Sequence, residues 1–94
     1  MIRVVIERKL SLEGDEEIQR AMRDLRREAI HQPGYVSGET LRDSANPHHF
    51  VIISTWRTRE EWETWASSSR RRELEDLIGQ MLTEAERITI CELV

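Results

Sequence analysis

From Phe50 to Trp56 the chain reads FVIISTW, and this run most narrows what the rest can fold into. It is β-branched or aromatic at most positions, the composition of a strand. Phe50, Ile52 and Trp56 alternate to one side, Val51 and Ile53 to the other. A strand that is apolar on both sides belongs in the middle of a sheet, with something covering each face. The chain must supply those covers from 94 residues, 38% apolar and 34% charged.

The neighbouring segments show how. Ile2 to Leu10 alternates, with Ile2, Val4 and Ile6 on one face and Arg3, Val5 and Glu7 on the other, which predicts a first strand. Glu13-Gly14-Asp15 reads as a turn, with Asp15 as a helix N-cap and Glu16 and Glu17 in a first turn that favours acids. Ile18, Met22, Leu25 and Ala29 then recur at helical spacing, flanked by Ala21 and Ile30, while Arg20, Arg23, Asp24 and Arg27 take the opposite face. Gln32-Pro33-Gly34 stops this helix. Tyr35 to Asp43 reads as a second strand, with Tyr35, Ser37, Glu39 and Leu41 on one face and Val36, Gly38, Thr40 and Arg42 on the other. Ser44-Ala45-Asn46-Pro47 turns it into the FVIISTW strand, forming an antiparallel hairpin. Thr58-Arg59-Glu60-Glu61 is a capping box, opening a helix that carries Trp62, Trp65 and Ala66 on one side. Ser67-Ser68-Ser69 interrupts it before a further helical stripe of Leu74, Leu77, Ile78, Met81 and Leu82. Ile88 to Val94 closes the chain as a fourth strand.

This order, β-α-β-β-α-β over a single domain of residues 1–94, is α+β and ferredoxin-like: one four-stranded antiparallel sheet with its helices on one face. The helices cover one side of the central strand, and its second apolar face then needs another cover. The economical arrangement is a homodimer whose sheets pack face to face, and a domain this small gains from the added buried area.

Net charge −4 argues against nucleic acid as a partner. One cysteine, Cys91, excludes an internal disulfide and a multi-cysteine zinc site, and on a closing strand it is expected to be buried and inert. The amino terminus MIRVVIERKL is too short and charged for a signal peptide, and no apolar run reaches membrane length, so no membrane partner is expected and the expected location is cytoplasmic.

Pro33-Gly34-Tyr35, then Gly38-Glu39-Thr40-Leu41-Arg42-Asp43, then Ile53-Ser54-Thr55-Trp56, then a tryptophan-rich helix ending in Trp65 before a Ser/Arg stretch, form a string that covers most of the chain. It resembles the antibiotic-biosynthesis monooxygenase family of dimeric α/β-barrel proteins. The resemblance implies a homodimer of ferredoxin-like subunits, each with a pocket between helices and sheet. It implies a cofactor-independent monooxygenase that oxidises an aromatic, quinol-like small molecule with O2. The alternative on the same scaffold is a non-catalytic homodimer that binds a small aromatic ligand. A haem-degrading branch carries an asparagine on the first strand, a tryptophan on the second helix and an iron-ligating histidine ten residues later. This chain keeps Trp65, but has Arg8 (or Glu7, shifted by one) for the asparagine and Glu75 for the histidine. A carboxylate is a poor haem ligand, so haem chemistry is disfavoured.

Trp65 is the leading candidate for the pocket wall, with Trp62 on the same helix face as packing or rim and Trp56 as a structural residue at a strand end. Arg8 suits stabilisation of a phenolate or enolate if its side chain turns toward the helices. His48 and His49 are adjacent and so point to opposite faces; two opposed imidazoles make no metal site alone, but His49 at a pocket mouth suits a general base. His31, at a helix C-terminus, is placed to interact with the dipole. Arg70-Arg71-Arg72 sits where the dipole disfavours cations, so Glu73, Glu75 and Asp76, or acidic groups on a partner subunit, are expected to compensate, and an anionic substrate is a further candidate. Tyr35 is read as a plug at the hairpin base or a ligand donor. The sequence points to no metal and no cofactor, and shows no nucleophile-base pair, phosphate loop or paired-carboxylate site.

Overall fold

The computed structural model describes residues 1–11 and 15–94, the Asp15 side chain excepted. The elements run β1 (Ile2–Lys9), α1 (Asp15–Ile30), β2 (Tyr35–Arg42), β3 (His49–Trp56), α2 (Arg59–Ala66), α3 (Ser69–Gly79) and β4 (Arg87–Glu92). All pairings are antiparallel, in the order β2-β3-β1-β4. This is the ferredoxin-like α+β arrangement, with FVIISTW next to the centre as its two-sided pattern requires. The predicted turn at Glu13-Gly14-Asp15 and the Asp15 cap lie outside the described residues.

The direction in which each strand faces follows from which side is more continuously apolar. Ile2, Val4, Ile6 and Arg8 of β1 are buried on the helix side, and across the register Phe50, Ser54 and Trp56 of β3 join them. Ile18, Ala21 and Leu25 of α1, Trp62 and Trp65 of α2, and Leu74 and Ile78 of α3 close over that face to form the core. Val5 opposite Ile53, and Val51 opposite Leu41, form an apolar strip across the other face. On it Leu41 is exposed, and Val5, Val51 and Ile53 are half-buried.

Local chemistry sets the boundaries. Thr58 caps α2, its hydroxyl accepting the Glu61 N–H at 3.2 Å. The serine run is a cap as well as a break: Ser68 Oγ accepts the Arg71 N–H at 3.2 Å and starts α3 afresh. At Gly34, φ is +88°, a conformation that suits glycine, and an added Cβ would run into the Glu61 side chain at the start of α2.

Several details depart from the sequence expectations; Met81 and Leu82, counted in the last helical stripe, lie beyond the end of α3 at Gly79, where Leu82 instead bridges Leu10. Strict alternation groups Tyr35 with Leu41, but a register shift between Tyr35 and Ser37 gives β2 an extra residue and turns Tyr35 onto the helix face. There its ring meets Trp56 edge-on, centroids 5.5 Å apart, and Gly38 leaves the space its hydroxyl occupies, since a Cβ there would overlap it. Cys91 is exposed rather than buried, because β4 is an edge strand and Cys91 points to the face without helices, opposite Arg3. β4 also stops at Glu92, leaving Leu93 and Val94 exposed. Ile30 and Leu77, counted in the helical stripes, are exposed at 48% and 41%, each lying at the margin of its buried face.

Candidate functional site

Between the helices and the sheet lies a cavity of about 60 Å³. Its walls are aromatic and aliphatic: Trp56 from β3, Trp62 and Trp65 from α2, Tyr35 from β2, Leu25 from α1 and Ile6 from β1. The capping box decides where α2 begins, so Trp62 and Trp65, three residues apart, both turn to the sheet. Trp62 packs edge-on to Trp56 at 5.6 Å, and the Trp56 indole N–H donates to Ser54 Oγ at 3.0 Å, which satisfies both polar groups inside the core. The exposed Arg26 and Thr40 lie at the rim.

Two buried arginines line the same cavity, beside the exposed Arg26 at its rim. Arg8 is only 2% exposed and interrupts the apolar face of β1. Its Nε donates to Glu86 Oε2 at 2.7 Å and its Nη2 to Glu75 Oε1 at 2.5 Å. Arg71, 8% exposed, reaches the same Glu75 oxygen at 3.1 Å, and its guanidinium lies 5.2 Å over the Trp62 ring. The neighbouring Arg70 turns outward to Glu28 and Glu73. The anions expected to offset the arginine run therefore come from α3 itself, from α1 and from the segment before β4.

Burial governs the ionisation of this cluster. It pushes the Glu75 carboxyl above its ordinary range although Arg8 and Arg71 pull it down, and Glu86 adds to the rise. Burial likewise holds the Arg71 guanidinium below its ordinary value, with Glu75 and Glu86 acting the other way; an arginine still remains charged. The folded protein thus holds the Glu75 proton more tightly than the unfolded chain does. Its contribution to stability is complete below the ordinary glutamate range and is lost as pH rises through the raised value. The stability of the parent chain relative to Glu75→Gln is expected to fall across that window and flatten above it, measured by urea unfolding at a series of pH values. A relative stability that instead grows with pH would mean that the two arginines outweigh burial.

Of the residues singled out in the sequence, Arg8, Trp62 and Trp65 come together at this cavity, and His49 does not. His49 lies on the face without helices, its Nδ1 3.0 Å from Asp43 Oδ2 and its Nε2 3.5 Å from Glu7 Oε1. The Asp43 carboxyl is held below its ordinary value by its hydrogen bond to that ring. His48 Nδ1 is 3.0 Å from the Leu10 carbonyl oxygen. Sequence reasoning left Arg71 undistinguished within its arginine run, although the Arg71–Glu75 spacing of four on a helix was available to find it. Among the described residues no group of three or more His, Cys, Asp or Glu side chains is placed to hold a metal ion, and no helix is long and apolar enough to cross a membrane.

The family profile described as antibiotic biosynthesis monooxygenase matches residues 1–77. The chain belongs to this family. Solved structures agree in fold. One antibiotic biosynthesis monooxygenase superposes with TM-score 0.92 at 19% identity, covering 100% of this chain and 99% of the other. A conserved protein from Methanosarcina mazei Go1 gives 0.88 at 20% identity, over 95% and 88% of the two chains. SnoaB from Streptomyces nogalater, a cofactor-independent oxygenase solved as a point mutant, gives 0.87 at 12% identity, over 98% and 91%. No curated protein matches in sequence.

Proposed function

We propose that this chain is an oxygenase of the antibiotic biosynthesis monooxygenase type, acting as a homodimer on a small aromatic, quinol-like molecule with O2 and without a metal or organic cofactor. The observation that carries this reading is the tryptophan-walled cavity with Arg8 and Arg71 in its lining. Its support from relatives is SnoaB, which shares the fold and is a cofactor-independent oxygenase.

Such chemistry asks little of the protein. An electron-rich substrate loses a proton, and its anion gives an electron to O2. The resulting radicals combine to a peroxide, and loss of water leaves a carbonyl, so that a CH2 group and O2 become C=O and H2O. The protein's part is to keep the intermediates away from bulk water and to stabilise the anion. Trp65 and Trp62 serve the first purpose, and the guanidinium groups the second.

Oxygen consumption is the direct test. With anthrone-type phenols, whose ring CH2 can become C=O, in chelator and without added flavin, uptake is expected in proportion to protein and at one O2 per substrate oxidised. No uptake across the panel would remove the oxygenase reading. In that case the second reading stands, a non-catalytic homodimeric module that binds a small aromatic ligand.

The strip Leu41, Val51, Ile53 and Val5 on the face without helices supports the dimer, since a second copy would cover it. Light scattering at micromolar concentration is expected to give twice the chain mass. A monomer there would overturn the face-to-face pairing.

A further inference from the structure

Among the described residues, one buried side-chain nitrogen or oxygen lacks a hydrogen-bond partner: Nη2 of Arg71. The atom is 3.1 Å from Glu75 Oε1, close enough for ionic attraction but not aligned for a hydrogen bond. The Arg71 Nη1 reaches only the Ala66 carbonyl oxygen, at 3.5 Å. A buried donor without a partner costs on the order of 1–3 kcal/mol, and more when it is charged, so its persistence calls for an explanation.

Its surroundings supply one. Arg71 lines the cavity and stacks over Trp62, which lines it too. It stands in the first turn of α3, where no acidic residue offsets the positive end of the helix dipole. Arg8 differs, since both its Nε and its Nη2 are committed to carboxylates. Arg26 also lines the cavity but is exposed. The lining thus places a desolvated, unsatisfied cationic donor beside aromatic walls. We propose that Arg71 receives an anionic oxygen of an aromatic ligand, a carboxylate or an ionised phenol or enol, whose ring lies against the tryptophans. The inference rests on the same cavity as the proposed function, but it concerns recognition and does not require turnover.

Calorimetric titration without oxygen, using matched small probes, tests it: benzoate against benzamide, and 4-nitrophenolate against 4-nitroanisole at mildly alkaline pH. The anionic member of at least one pair is expected to bind about tenfold tighter or more, as a charge-assisted hydrogen bond allows. Preference within the first pair alone assigns a carboxylate, and within the second alone an ionised phenol; either supports the proposal. R71Q is expected to erase the preference. R71K, which keeps the charge but loses the planar fork, is expected to lose several-fold of it with neutral-probe affinity unchanged, so the test survives if R71Q fails to fold. Equal binding within both pairs overturns the proposal, as does an R71K indistinguishable from the parent, or a preference lost in R26Q and kept in R71Q. Oxygen uptake without anion preference would leave the oxygenase reading standing and sink this one, and anion preference without uptake would do the reverse.

Discussion

Trp56→Ala is expected to remove about 3–5 kcal/mol of folding free energy, the range for deleting a buried tryptophan. Trp56 is 1% exposed and closes β3. It sits between Ile2 on β1 and Tyr35 on β2 in the sheet register, and its ring touches Tyr35 and Trp62 edge-on. Truncation would open a void at the meeting point of three strands and α2, and would leave Ser54 Oγ without the indole N–H it accepts. For a domain of this size each kcal/mol is worth roughly 4–8 °C, so the melting temperature is expected to fall by more than about 10 °C. Urea unfolding followed by circular dichroism measures it. A loss below about 1 kcal/mol, under the range for such deletions, would show that the neighbouring side chains collapse into the space and that Trp56 is not a keystone of the core.

Trp65→Ala is expected to have two effects, and separating them decides what Trp65 is for. At 3% exposed it belongs to the core cluster, and it also lines the cavity. Its removal is expected to cost a comparable 3–5 kcal/mol or so and, independently, to weaken binding of an aromatic probe by up to about tenfold, the worth of a lost aromatic pair. Leu74→Ala supplies the comparison, because Leu74 is 4% exposed, sits in the same core and is not part of the cavity lining. It is expected to destabilise by about 2–5 kcal/mol with binding to the folded protein unchanged. Calorimetric titration of both variants, well below their melting temperatures, makes the comparison. Equal weakening in the two would assign Trp65 to packing alone.

Much of the fold was legible because its signals are local. FVIISTW identified an inner strand, the capping box fixed the start of α2, and the serine run marked the restart at α3. The face of Arg8 was legible too, as a cation spaced with Ile2, Val4 and Ile6. Its partners were not, because Glu75 and Glu86 are 67 and 78 residues away and meet it only after the sheet and α3 have assembled. The exposure of Cys91 follows from its place on an edge strand, pointing to the face without helices, which strand patterning alone does not report. The Tyr35 side chain was misassigned for a different reason: alternation is reliable until one residue is inserted, and nothing in Tyr35-Val36-Ser37 announces the insertion.

That insertion also bears on how such a cavity can change over evolutionary time. A single extra backbone residue in β2 decides whether the Tyr35 ring stands inside the cavity or on the far side of the sheet. Point substitutions in the lining exchange one side chain for another and draw on the stability of a closely packed core. Ironing out the bulge with the sequence unchanged would set Val36 opposite Trp56 and send Tyr35 to the far side, while the strand beyond it stays in register. Because β2 is an edge strand, paired only to β3, it can absorb such a change at one boundary instead of two. The hairpin base is thus a place where relatives of this chain could present a different side chain to the cavity through local strand geometry, without remodelling the helices.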